Sequence, residues 1–107
     1  PPTIGVEEDY GLGSVSTRTM FAVYPNPFNK NLTIKFQIPN PKAQTSITIY
    51  DASGRLVRQW DNETMRQSDQ IIWSGDDDLG RKVPAGVYFV RIETEDFKKV
   101  EKVILLR

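Results

Sequence analysis

Asp76-Asp77-Asp78-Leu79-Gly80 is the densest acidic group in the chain. Neighbouring carboxylates beside a turn glycine are the kind of oxygen cluster that holds calcium, so Asp76, Asp77 and Asp78 are the metal candidates. The run lacks the spacing of an EF-hand loop and no later Glu completes one, so the plainer reading is a solvated turn between strands. Asp51 and Asp61 flank a hairpin, and acids about 5–9.5 Å apart across a cleft hydrolyse glycosides. With 14 acids in the chain, nothing singles that pair out. Tyr50, Trp60, Trp73 and Tyr88 could form a platform for sugar rings. Trp73 and Tyr88 stand inside apolar runs, where large rings supply buried area, which leaves Trp60, beside Asp61, as the ring expected at the surface. Asn31-Leu32-Thr33 and Asn62-Glu63-Thr64 both fit a glycosylation sequon, a triplet that arises often by chance. The sequence has no Cys and no His. Thiol nucleophiles, thiolate sites and disulfides are therefore excluded, and the commonest general base and metal ligand are missing. No catalytic residue and no cofactor is expected.

The last basic group differs in kind. Lys98, Lys99, Lys102 and Arg107 sit among Val100, Val103, Ile104, Leu105 and Leu106. In an extended chain Lys98 and Lys102 share a face with Val100, Ile104 and Leu106. Lysines on an edge strand discourage unwanted strand pairing. The other reading is a basic, aliphatic terminus that something else recognises.

Those residues need a scaffold, and the scaffold reads as β. A chain of 107 residues is the size of one domain. Lys+Arg and Asp+Glu both number 14, so there is no basic excess to displace counterions from nucleic acid or to hold a polybasic anchor on lipid. No run approaches the ~20 apolar residues of a transmembrane helix. Residues 1–19 hold Pro, Gly, Ser and Thr without alternation and read as a flexible linker. Because the chain is apolar almost to its end, residues 20–107 are expected to be the C-terminal domain of a larger protein.

From residue 20 the apolar period is two. Leu32, Ile34, Phe36 and Ile38 alternate with polar residues until Pro39 and Pro41; Ile47 and Ile49 repeat the pattern. Asp51-Ala52-Ser53-Gly54 is a short turn into residues 55–60. Gln70 to Trp73 begins a second group, closed by Ser74-Gly75 and the loop from Asp76 to Pro84. Gly86 to Ile92 reads as buried on both faces, hence central in its sheet. Glu93 to Asp96 turns into a last strand over Phe97–Leu106. About seven short strands without a helix predict an all-β, antiparallel Ig-like sandwich of two sheets.

Tyr24-Pro25-Asn26-Pro27-Phe28-Asn29, ahead of an alternating strand, resembles the opening of the C-terminal sorting domains of the type IX secretion system and of the related Ig-like domains named after the flagellar hook-capping protein. The resemblance continues in order through Ile49-Tyr50-Asp51 with Gly54-Arg55, and through Trp73-Ser74-Gly75 with Asp77 and Gly80-Arg81. Pro84-Ala85-Gly86-Val87-Tyr88-Phe89-Val90 is similar to the family's PxGxYxV, and Lys98 to Lys102 to its KxxxK before an aliphatic end. It covers about residues 20–107, and Gly5-Val6-Glu7-Glu8 looks like what precedes such domains. Lys30-Asn31 stands where members often carry Pro and Thr.

The resemblance implies a non-catalytic module that directs an upstream cargo through the periplasm to the cell surface or outside. Its partners would be secretion-machinery proteins and the parent's upstream domains. Pro84, Gly86, Tyr88, Val90, Lys98, Lys102, Val103, Ile104, Leu105, Leu106 and Arg107 are the expected recognition residues. In such domains the end is usually removed or joined to a surface glycolipid. Tyr24 to Asn29 with Gly54, Trp73, Gly75 and Gly80 are the expected structural motif. Pro25 and Pro27 fix φ and withhold two donors, so a rigid, extended entry is expected, with Asn26 and Asn29 bonding the backbone locally. Two other functions fit the same strands: an interaction domain packed on its parent enzyme or a neighbouring subunit, and a carbohydrate-binding module.

Overall fold

The computed structural model describes residues 20–37, 44–61, 69–95 and 97–107. The expected linker, Ile38 with the prolines after it, the Asn62 sequon and Asp96 lie outside the described residues. Seven strands run in order: β1 (Met20–Tyr24), β2 (Leu32–Gln37), β3 (Ser46–Asp51), β4 (Leu56–Trp60), β5 (Gln70–Trp73), β6 (Gly86–Glu93) and β7 (Lys98–Leu105). They form a three-stranded sheet, β1-β2-β5, and a four-stranded sheet, β4-β3-β6-β7, with every pairing antiparallel. Among the described residues there is no helix. This is the expected Ig-like sandwich.

Alternation builds the core. Leu32, Ile34 and Phe36 of β2, with Ile71 and Trp73 of β5, face Ile47 and Ile49 of β3, Tyr88, Val90 and Ile92 of β6, and Val103 and Leu105 of β7, and all are buried. Each such side chain contributes roughly 1.5–3 kcal/mol on leaving water. Trp73 is the keystone, with no exposed surface and its ring centroid 5.5 Å from Phe28 and 5.4 Å from Tyr88.

Strand β6 lies between β3 and β7, as expected of a central strand. Its other expectation needs correction: Val87 and Phe89 are only half-buried. The described residues form two layers, so nothing described covers the outer side of this sheet. Trp60 also departs from expectation. It pairs with Ile47, so it shares the inward face and packs half-buried on the core, with the Arg58 guanidinium 4.8 Å from its ring centre.

Candidate functional site

The terminal ribbon β7 carries most of the expected recognition residues, and both of its edges are occupied along its second half. Its inner edge follows β6 from Glu93↔Lys98 to Gly86↔Leu105. Its outer edge is held by the Tyr24–Asn29 segment. The Asn26 side-chain amide donates from Nδ2 to the Lys102 carbonyl at 2.9 Å, and its Oδ1 accepts the Ile104 N–H at 3.0 Å. One amide side chain thereby imitates a strand residue. Two residues on, real backbone takes over: Phe28 donates its N–H to the Ile104 carbonyl at 2.9 Å and accepts the Leu106 N–H at 2.8 Å. Phe28 pairs in parallel with Leu105, and its ring enters the core against Trp73.

The segment itself is a series of bends with cis peptides at Tyr24-Pro25 and Asn26-Pro27, not the extended entry expected of two prolines. Asn26 reaches 76 residues along the sequence, where only a local bond was expected. It fastens the first strand's exit to the last strand, which removes the exposed pairing edge of that part of β7.

Arg107 closes the other side. Its Nε donates to the Val83 carbonyl and its Nη2 to the Gly75 carbonyl, both at 2.9 Å. Tyr88 donates its hydroxyl to the Pro84 carbonyl at 2.6 Å, four residues upstream, as in the tyrosine corner of Ig-like domains. Burial, and then the nearby Asp51 carboxylate, push the Tyr88 hydroxyl pKa up. Gly86, with φ of 150°, makes the unusual backbone step expected between the loop and β6.

The acidic loop is a structural turn. Asp76 binds Arg58 at 2.7 Å, and Asp78 lies 3.8 Å from the same guanidinium. Asp78 also runs along the free edge of β4, donating its N–H to the Val57 carbonyl at 3.2 Å. Trp73 Nε1 donates to the Asp76 carbonyl at 2.7 Å. Among the described residues, no group of three or more His, Cys, Asp or Glu is placed to hold a metal.

Asp77 does the same work as Asp51, in a device the sequence shows twice. Asp51-Ala52-Ser53-Gly54-Arg55 and Asp77-Asp78-Leu79-Gly80-Arg81 both read Asp-x-x-Gly-Arg. In each, the Asp carboxylate accepts the N–H of the second residue after it and that of the Arg, and ion-pairs with the Arg side chain. The Gly has φ of 89° in the first and 80° in the second, a left-handed conformation that costs other residues about 1–2 kcal/mol. Asp51 is held below the ordinary carboxylate range by the Ser53 hydroxyl first and the Arg55 N–H next. Asp77 is held below it by the Arg81 N–H above all. Both fragments belong to the family resemblance, and the repeated five-residue pattern is the sequence signal that they form the same loop.

The remaining sequence candidates scatter. Asp61 follows Trp60, which pairs with Ile47, whereas Asp51 lies at the opposite end of β3. At ~3.3 Å per residue the two backbones are roughly 15 Å apart, too far for an acid pair of glycosidase type. The four rings make no platform: Trp73 and Tyr88 are buried, Trp60 packs at the core margin, and Tyr50 lies with the Arg91 guanidinium 5.3 Å from its centre. In the first sequon Asn31 is exposed, Leu32 is buried and Thr33 is half-buried within β2.

Of the eleven recognition candidates, Tyr88, Val90, Val103 and Leu105 are buried, so they shape the surface without forming it. Lys98, Lys102, Leu106, Arg107 and Pro84 are exposed, and Ile104 and Gly86 are half-buried.

The chain is thus an Ig-like sandwich whose last strand is stapled on one edge by its own opening motif. A model of the secretion system C-terminal sorting domain matches residues 22–106. The chain belongs to that family: it is a type IX secretion sorting module. Among solved structures it is similar to PorZ, an essential bacterial surface component of the type IX secretion system of Porphyromonas gingivalis. That similarity has 27% identity and a TM-score of 0.64, over 91% of this chain and 13% of that one. Dimeric latent PorU from Porphyromonas gingivalis shares the fold, with 21% identity and a TM-score of 0.64 over 82% of this chain and 9% of PorU. The chain thus spans a small fraction of either protein. No curated protein matches it in sequence. Membership in this family implies a secreted or cell-surface protein, and no described helix is long and apolar enough to cross a membrane.

Proposed function

We propose that residues 20–107 are the non-catalytic address of a larger protein, joined by the linker 1–19 to an upstream cargo that crosses the periplasm and leaves the cell by the type IX machinery. The observation that carries this is the terminal ribbon. The family's opening motif is spent on holding β7 in place through Asn26 and Phe28, and Arg107 locks its end to the acidic loop. A fold that commits its most distinctive residues to fixing one strand presents that strand in a defined shape. The exposed residues of Lys98–Arg107 are then read by a secretion-machinery protein. The absence of Cys and His from the chain supports the non-catalytic part. The coverage of only 13% of PorZ supports the picture of a module within a longer protein.

The test is a periplasm-directed fluorescent reporter carrying the full chain at its C-terminus in a host with type IX machinery. Export of the fusion is expected, with its loss when residues 98–107 are deleted. Export that survives the deletion refutes the reading.

A further inference from the structure

We propose that the outer face of the four-stranded sheet is the surface on which the domain docks, and that its occupant is a partner-protein surface that is apolar and carries a carboxylate opposite Lys102. The proposal rests on the sorting reading and gives that reading a place and a chemistry.

The register assembles this face from residues that look unrelated in the sequence. Tyr50 pairs with Leu56 on one side and with Phe89 on the other, and Phe89 pairs with Lys102. Val87 pairs with Ile104 in the adjoining row. Leu56 is 49% exposed, and Phe89, Val87, Ile104 and Tyr50, the last with the Arg91 guanidinium 5.3 Å from its ring centre, are half-buried on a surface with no described layer above it. Solvent-facing positions of an antiparallel sheet are ordinarily polar, and a contiguous apolar patch on such a face marks an interaction site. The outer face of the three-stranded sheet contrasts with it, since Lys35, Gln37 and Gln70 interrupt its apolar side chains.

Charge selects the occupant. Around the patch Arg91 and Lys98 both pair with Glu93, and Arg55 with Asp51. Lys102 stands at the end of the Leu56–Tyr50–Phe89 row, is exposed, and has no acid partner among the described residues. An exposed ammonium beside apolar side chains accepts a partner that brings a carboxylate. It disfavours a second copy packed by two-fold symmetry on this face, because each copy would bring its own Lys102.

The experiment uses the reporter fusion with Lys102→Glu, Lys102→Gln and Phe89→Ser, alongside melting and sedimentation velocity of the 107-residue chain. Expected are a monomer at micromolar concentration, melting of both Lys102 variants close to the parent, export reduced about tenfold or more by Lys102→Glu, and a smaller loss in Lys102→Gln. Phe89→Ser is expected to match Lys102→Glu in export if it remains folded; if it unfolds, the Lys102 pair carries the test. Normal export of Lys102→Glu overturns the proposal and leaves the sorting reading standing. A parent dimer broken by Lys102→Glu or Phe89→Ser also overturns it, by making a second copy the occupant. A parent fusion that is not exported at all refutes the sorting reading itself.

Discussion

Replacing Asn26 tests the link between the opening motif and the terminal ribbon most directly. The side chain makes two hydrogen bonds to β7 backbone, from Nδ2 to the Lys102 carbonyl at 2.9 Å and at Oδ1 from the Ile104 N–H at 3.0 Å. Each such bond contributes a net of about 0.5–1.5 kcal/mol. Both sites are reached by water, so the lower half of the range applies, and Asn26→Ala should cost about 1–2 kcal/mol. For a domain near this size that corresponds to a fall in Tm of about 5–15 °C. The loss should also be local. Hydrogen exchange at the Ile104 amide, which loses its acceptor, should speed up far more than at the Val90 amide in the sheet centre. Asn26→Asp separates the two bonds. It keeps an acceptor for Ile104 but sets a carboxylate against the Lys102 carbonyl, so at pH 7 it should be no more stable than Asn26→Ala. Below about pH 4 a protonated carboxyl can donate again, and Asn26→Asp should then gain on Asn26→Ala compared at the same pH. A Tm within 2 °C of the parent together with unchanged exchange at Ile104 would refute the claim that Asn26 stitches the two ends of the domain.

The other expectations concern the loop under Arg107, the tyrosine corner and acid. Gly75 has φ of 73°, and a Cβ there would lie 2.8 Å from Arg107 Nη2 and 3.3 Å from Leu105 Cδ2. Gly75→Ala should cost about 1–3 kcal/mol. In an Arg107→Ala background the same change should cost less, which denaturant midpoints of the four proteins in the cycle would show. Tyr88→Phe keeps the ring against Trp73 and loses only the bond to Pro84, so it should cost about 1 kcal/mol, whereas Tyr88→Ala should cost about 3–5 kcal/mol in thermal melts. Asp51 and Asp77 both titrate below the ordinary 3.8 when folded. Their contribution is therefore complete above that pH and is lost as the pH falls through their lower folded values. Denaturation midpoints followed down from pH 5 should drop, and Asp77→Asn should lower the neutral-pH midpoint while making the acid limb shallower.

Much of the sandwich follows from local pattern. Alternation in β2 and β3 sets which residues face inward, because a strand's side chains point to opposite faces and only one face meets the other sheet. The Asp-x-x-Gly-Arg loops are equally local: their bonds close within five residues, so residue type alone specifies them. The family motifs likewise stand in the sequence in order, and family membership is carried by them.

What lies across the molecule required the folded chain. Nothing near Asn26 says that it bonds to Lys102 and Ile104, since that pairing exists only after the first and last strands have been brought to one edge. An apolar strand such as β6 reads as buried on both faces, but the strand knows nothing of how many layers enclose it. With two sheets and no third among the described residues, the apolar outer side of β6 became surface, joined by register to Tyr50, Ile104 and Lys102. Periodicity determines the two sides of each strand; only the stacking of sheets decides which of those sides water reaches.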